Sequence, residues 1–303
     1  MNIPSPIQYL RNVSETLGCP VWIKREDLLE GSSFGGSKVR KLDRILPQAE
    51  KNKVTDIVTG GTTGSHHIHA VSVMAKEKGF TVHTVLAGQP ALDYPEKVFE
   101  LTKLENPSIT YSSSETAIPL KMFRLWLKLK AEGRKPLMIG PGGFGIQGAE
   151  AYAEAGLELL LQLIETRTEF DIQVCVYGTG GITAGLQTAK QIHSELPPVY
   201  AVQVYPGIWN GKSYIRFFSS RLKNKYFYKK YNDNGLIITD RYIGKGYGTE
   251  NLNCSEAAAL FQKDGIFLDP VYMARAGQAV IDLSRSHRMQ KGILLWYTAP
   301  ALL

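Results

Sequence analysis

Twice in this chain a run of apolar and β-branched residues breaks into a glycine-rich turn, which opens onto a helical period and then onto another apolar run. The first instance is Asp56-Ile57-Val58-Thr59, a turn from Gly60 to His67, a helix over 68–78 and a strand over 81–86. The second is Ile172 to Tyr177, the turn Gly178-Thr179-Gly180-Gly181, a helix over 183–193 and a strand over 199–205. Strand, turn, helix, strand is the βαβ unit, because a parallel pair needs a crossover where an antiparallel pair needs only a hairpin. The remaining segments keep this rhythm. Helical spacing covers 96–104, 120–131, 148–163, 255–263 and 274–285, and short apolar runs at 137–139, 237–239 and 293–297 read as strands. The fold class expected is α/β with parallel sheets. The section between Gly88 and Pro136 carries the weakest signal.

Ahead of the first βαβ unit stands Val21-Trp22-Ile23-Lys24-Arg25-Glu26-Asp27, then Phe34-Gly35-Gly36-Ser37-Lys38-Val39-Arg40-Lys41-Leu42. The alternation up to Lys24 is that of a half-buried strand. The glycine pair gives the backbone freedom, and Lys38 follows at the mouth of a helix. An amine so placed suits attack on a carbonyl carbon to form a Schiff base. Lys38, Arg40, Lys41 and Arg44 equally describe the basic side of an amphipathic helix. Lys41 is the rival amine.

The turn Gly178 to Gly181 sits between a buried strand and a helix. Its backbone N–H groups and the helix N-terminus make an anion nest, with threonine hydroxyls as further donors. It is not the dinucleotide fingerprint, since the third glycine and the following acidic residue are missing. A turn without a phosphate is the plain alternative. Gly64-Ser65-His66-His67 and His69 invite a metal reading. Adjacent histidines leave a helix on different sides, and no carboxylate stands at ligand spacing, so no metal is expected. Asp269-Pro270 imposes an extended or turn conformation ahead of Tyr272.

Composition sets bounds. The chain has 303 residues, 44% hydrophobic and 21% charged, which is globular rather than disordered. Three scattered cysteines, Cys19, Cys175 and Cys254, make neither a disulfide framework nor a metal site and point to a reducing compartment. No signal peptide or bilayer-length apolar run is evident, so a soluble cytoplasmic protein without membrane contact is expected. The net charge of +7 raises nucleic acid as a partner, and the densest basic stretch runs from Arg216 to Tyr231 with interleaved aromatics. An amphipathic surface helix with inward aromatics is the reading preferred. A basic balance also suits an anionic cofactor and a carboxylate substrate.

The run K-R-E-D followed by F-G-G-S-K-V-R-K-L resembles the signature of the pyridoxal-phosphate (PLP) enzymes that include D-cysteine desulfhydrase and 1-aminocyclopropane-1-carboxylate (ACC) deaminase. The resemblance extends in ordered motifs from Pro4-Ser5-Pro6-Ile7 to Thr298. It implies fold type II, tryptophan synthase β-like: a parallel-sheet large domain from residues 1–51 and 151–303, and an inserted smaller α/β domain at 52–150. The cofactor would lie in the cleft between them. It implies that Lys38 carries the cofactor and takes part in catalysis. Gly178, Thr179, Gly180, Gly181 and Thr183 would hold the phosphate, and Thr298 would face the pyridine nitrogen. Ser65 would contact the substrate carboxylate or move a proton. His66 stands where the family has an asparagine bonded to the ring hydroxyl. Tyr247 and Tyr272 match tyrosines that exchange protons with the substrate.

Two positions bear on the substrate. After the D-P-V-Y tyrosine the deaminases have glutamate and the desulfhydrases a small hydroxyl residue; here it is Met273. The last strand ends Tyr297-Thr298-Ala299-Pro300, where the family reads H-T-G-G or H-L-G-G. A threonine at the ring nitrogen favours elimination chemistry. The expected activity is therefore conversion of D-cysteine to pyruvate, sulfide and ammonia, with ACC deamination to 2-oxobutyrate as the alternative. A catalytically degenerate PLP-binding protein and a basic nucleic-acid-binding protein are the readings from other classes. A small amino acid as substrate and a homodimer are what the family implies.

Overall fold

The computed structural model describes residues 4–29, 36–88, 93–105, 108–205, 211–226, 232–244 and 254–298. Along the chain run β1 (Ile7–Tyr9), α1 (Arg11–Leu17), β2 (Val21–Arg25), α2 (Ser37–Lys51), β3 (Asp56–Thr62), α3 (His66–Glu77) and β4 (Thr81–Ala87). Next come α4 (Asp93–Glu105), β5 (Ile109–Ser112), α5 (Ile118–Ala131), β6 (Pro136–Ile139), α6 (Ile146–Thr166) and β7 (Ile172–Tyr177). Then follow α7 (Gly181–Ile192), β8 (Val199–Gln203), α8 (Lys212–Tyr226), β9 (Leu236–Thr239), α9 (Ser255–Gln262), α10 (Met273–Ser286) and β10 (Ile293–Tyr297). The residues fall into two compact units, the smaller spanning Lys38–Phe144 and the larger built from Asn2–Leu29, Gly35–Ser37 and Gly145–Leu303.

The smaller unit has a parallel sheet in the order β5-β4-β3-β6. One face packs on α5, where Val58, Val85 and Ala87 meet Ile118, Met122 and Leu129. A Cβ on Gly60 would lie 2.5 Å from Ile118 Cγ2 and 2.7 Å from Met122 Sδ. That close approach is why β3 runs on through Gly60, Gly61 and Thr62, which the sequence places in a loop. Strand β5 is the other addition, in the section where periodicity was weakest; its burial pattern is mostly open, so no apolar run marks it. Helix α2 continues through Pro47 to Lys51, and nearly all of it belongs to the smaller unit rather than to the segment before residue 52. The Lys41 ammonium shows why: it donates to the Gly142 carbonyl at 2.9 Å, across the whole length of that unit's sequence.

Among the described residues the larger unit carries six strands in the order β1-β2-β10-β7-β8-β9. Of these only β1, read from sequence as an extended lead-in, pairs antiparallel, on β2. Strand β10 inserts in parallel between β2 and β7, pairing Tyr297 with Arg25 on one side and Leu295 with Val174 on the other. Strand β7 is thus the point where strand order turns: β8 and β9 extend the sheet one way, β10 and β2 the other. In open parallel sheets ligands bind beyond the carboxyl ends of the strands at such a point. One face is a core of Val21, Ile23, Val174 and Leu295 against Phe261, Val280 and Ile281. The fully buried Trp296 lies edge-on to Tyr152 of α6, ring centroids 6.0 Å apart.

Candidate active site

In the smaller unit Lys38 is the second residue of α2 and is half-buried. Lys41, one turn on, is buried with its amine spent on Gly142; burial and then the Lys38 charge hold its pKa well below the usual lysine value. Of the two lysines, Lys38 is the one presented at a helix start. Ser65 occupies the cap position of α3 in extended conformation, yet makes no side-chain cap hydrogen bond. The Ile68 N–H turns back to the Ser65 carbonyl at 3.0 Å, and the N-terminal end of α3 carries the dipole that favours an anion. His66 follows, lowered to about 3 by burial, then by the charges of Lys38 and His69. Lys38 and His66 are therefore electrostatic neighbours, and the imidazole is neutral at physiological pH.

His67 entered the sequence reading only within the metal motif that was set aside. Its Nε2 lies 3.1 Å from Thr59 Oγ1, and that hydroxyl donates to the Ile139 carbonyl at 2.9 Å. With its proton committed, Thr59 accepts, so the neutral ring carries its proton on Nε2. Its buried Nδ1 has no hydrogen-bond partner among the described residues. No group of three or more His, Cys, Asp or Glu residues placed to hold a metal occurs among the described residues.

In the larger unit the turn Gly178–Gly181 leaves the carboxyl end of β7 and opens α7. Gly180 has φ +81°, where a side chain is strained, and a Cβ there would lie 2.7 Å from the Tyr214 ring and 2.9 Å from Tyr177. The two tyrosines back the loop: Tyr177 Oη accepts the Gly211 N–H at 3.0 Å, and burial raises both phenols above the usual tyrosine pKa. Tyr214 belongs to α8, the basic helix. Its Ile215, Phe218 and Leu222 are buried while Arg216, Phe217 and Arg221 are open, the pattern of an amphipathic surface helix. Thr183 is fully buried, its hydroxyl 3.6 Å from Cys175 Sγ.

Carrying the β10–β7 register onward puts Thr298 level with Tyr177, one residue before the glycine turn. Thr298 Oγ1 lies 3.7 Å from Met273 Sδ, at the start of α10. The turn preceding that helix is tied by buried Asp269. Its Oδ1 accepts the N–H groups of Val271 (3.1 Å) and Tyr272 (2.8 Å), and its Oδ2 accepts that of Met273 (3.0 Å). Asp269 thus fixes Tyr272 and Met273 together, as an aspartate side chain that bonds the backbone just after it does in a turn. Of the expected residues, the larger unit brings Tyr272, Thr298 and the glycine turn to one end of its sheet, and the smaller unit brings Lys38 and His66 together. Tyr247, Phe34 and Gly35 lie outside the described residues.

The donor set fits pyridoxal phosphate. A phosphate dianion needs N–H donors at a helix N-terminus and room beside the backbone; a Cβ on Gly178 would meet nothing nearer than Val204 Cγ2 at 4.0 Å. A carbonyl cofactor needs an amine, and Lys38 is one at a helix start in the smaller unit; a pyridine nitrogen needs a hydroxyl or carboxylate, and Thr298 carries a hydroxyl at the end of β10 in the larger. Sheet order and the glycine turn mark the larger unit as an α/β unit suited to a phosphorylated ligand. The comparison with known proteins gives the family: the chain belongs to the pyridoxal-phosphate dependent enzymes, whose family model matches residues 1–298. Its cofactor is pyridoxal 5'-phosphate.

A Pyrococcus horikoshii protein provisionally named as an ACC deaminase is 30% identical over 303 residues, covering 97% of this chain and 88% of that one. A D-cysteine desulfhydrase of Klebsiella pneumoniae is 28% identical over 308 residues, covering 99% and 93%. A crystal structure described as an ACC deaminase homologue superposes with a TM-score of 0.86 at 28% identity, covering 97% of this chain and 89% of its own. The fold type II expectation holds. Among the described residues no helix is long and apolar enough to cross a membrane.

Proposed function

We propose that this enzyme eliminates sulfide from D-cysteine, giving pyruvate and ammonia. The carbon–sulfur bond breaks, sulfur leaves as sulfide, and water replaces the amino nitrogen as the new carbonyl oxygen. The observation that carries this reading is Thr298, the match to the desulfhydrase threonine, whose hydroxyl lies 3.7 Å from the Met273 thioether. The deaminase pattern has a carboxylate at position 273 and the desulfhydrase pattern a small hydroxyl residue; the buried, uncharged Met273 follows neither. ACC opening is the second reading, favoured by the names of several relatives rather than by these two residues.

Bound pyridoxal phosphate supplies the sink for electrons released at the substrate's α-carbon. The chain's residues do the rest. Lys38 holds the cofactor and moves a proton at the α-carbon. Gly178, Thr179, Gly180, Gly181 and Thr183 hold the phosphate at the head of α7, and Thr298 meets the ring nitrogen. Ser65 and the first turn of α3 hold the substrate carboxylate, and neutral His66 bonds the ring hydroxyl. Tyr272 and Tyr247 exchange protons with the substrate. The working state in this reading is a homodimer.

The test is visible absorption of the protein with pyridoxal phosphate, in wild type and Lys38→Ala, followed by product assay. A lysine-bound cofactor band in wild type and none in the variant is expected, with pyruvate and sulfide formed from D-cysteine and no 2-oxobutyrate from ACC. A cofactor band without keto acid from either substrate would mark a binding protein instead.

A further inference from the structure

The run Lys24-Arg25-Glu26-Asp27 carries part of the family resemblance, yet none of its charges enters the chemistry above. Within the larger unit each is committed. Arg25 Nη2 donates to Asp27 Oδ2 at 2.6 Å. Lys24 is fully buried, its ammonium donating to the Ser5 carbonyl (2.6 Å), Glu158 Oε1 (2.5 Å) and Gln162 Oε1 (2.6 Å). Glu26 is fully buried as well. Its Oε1 accepts from Ser5 Oγ at 2.7 Å and its Oε2 from the Tyr152 hydroxyl at 3.0 Å. Helix α6, which provides Tyr152, Glu158 and Gln162, therefore grips both the exit of β2 and the N-terminal segment.

A buried carboxylate is costly to keep and is stable only when well bonded. What this one fixes is visible in its own peptide. The Glu26 carbonyl accepts the N–H of Leu29 at 3.1 Å and that of Gly36 at 2.9 Å. One oxygen thus ties the residue before segment 30–35 and the residue after it. Gly36 leaves this anchor at φ +78°, in the left-handed region that favours glycine. Ser37 then opens α2, and Lys38 is next.

We propose that Glu26, clamped by Tyr152 and Ser5, is a positioning residue for the Lys38 amine: the clamp sets the peptide from which α2, and with it the lysine, departs. This rests on reading Lys38 as the cofactor lysine. Orientation of this kind acts on the rate of bond formation more than on affinity, since it fixes the attacking group and leaves the phosphate contacts alone.

The test strips the loaded enzyme with hydroxylamine and follows the return of the visible band on adding pyridoxal phosphate. Tyr152→Phe and Ser5→Ala each remove one donor to Glu26. Both are expected to slow the return about tenfold at saturating cofactor, with the half-saturating concentration unchanged. Glu26→Gln, which keeps one acceptor oxygen, should fall between wild type and Glu26→Ala. Tyr242→Phe is the control, removing a buried hydroxyl that donates to Asp282 at 2.9 Å elsewhere in the same unit; it should lower stability and leave the rate alone. Wild-type rates in Tyr152→Phe and Ser5→Ala, or equal slowing in Tyr242→Phe, would overturn the proposal. A wild type without the band, or a Lys38→Ala variant that keeps it, would instead remove the cofactor-lysine reading and this one with it.

Discussion

At the scale of single residues, the histidines of α3 couple the site to pH. Burial, then the charges of Lys38 and Lys41, lower His67 to about 3, against about 6.5 in the unfolded chain. Between those values the unfolded chain binds a proton that the native state refuses, so stability rises with pH across the window and is lost as pH falls below 6.5. His67 alone should account for about 2 kcal/mol between pH 7 and pH 5. His67→Gln keeps a donor toward Thr59 and has no charge to gain. Urea midpoints at the two pH values should therefore differ less in the variant than in wild type; an equal fall in both would exclude the coupling. The same scale shows what resemblance alone misses. Lys38 stood out because a glycine pair and a helix period frame it. Tyr152 and Tyr214 did not, because a tyrosine in an apolar helix face gives no sign of what its hydroxyl or ring will meet.

At the scale of elements, the larger unit depends on how closely α6 and α7 approach. A Cβ on Gly185 would lie 2.3 Å from the Ala149 carbonyl oxygen and 2.5 Å from Tyr152 Cβ, and one on Gly156 would lie 2.3 Å from Ala189 Cβ. Both glycines have ordinary helical backbones, so the constraint is space rather than dihedral angle. Gly185→Ala should cost about 1–3 kcal/mol, as overpacking does, although alanine is the better helix former; a urea midpoint equal to or above wild type would contradict the packing argument. Tyr152 reaches Glu26 from α6, and α7 carries the glycine turn at its head, so the separation of these helices sets both the proposed clamp and the proposed phosphate turn.

For the whole molecule, the three cysteines report on the integrity of the native state. Cys19, Cys175 and Cys254 are all free and buried, and burial pushes Cys175 up to about 12 and Cys254 up to about 11. A thiol that is both neutral and enclosed is a poor nucleophile. Ellman's reagent should titrate none of them in the native protein and all three in denaturant. Prompt reaction of any thiol under native conditions would mean that its unit opens. In the basic stretch, within the described residues, α8 turns Ile215, Phe218 and Leu222 inward and sets Tyr214 against the glycine turn, while Phe217 stays open.

The sequence by itself determined the order of strands and helices, because periodicity and glycine punctuation are local properties that survive without knowledge of partners. It pointed to Lys38 and to the turn Gly178–Gly181 for the same reason, each being a short motif read within one loop, and resemblance to the family is what set them above a basic helix face and a plain turn. Only the tertiary structure decided that β10, last in the chain, inserts between β2 and β7, and so sets Thr298 beside the glycine turn. Only it decided that Lys24 and Glu26 answer to Glu158, Tyr152 and Ser5, and that β3 runs through Gly60 because α5 lies against it. These contacts join residues far apart in the chain. What selects them is burial of apolar faces and pairing of buried polar groups over the whole fold, and no stretch of sequence records that sum.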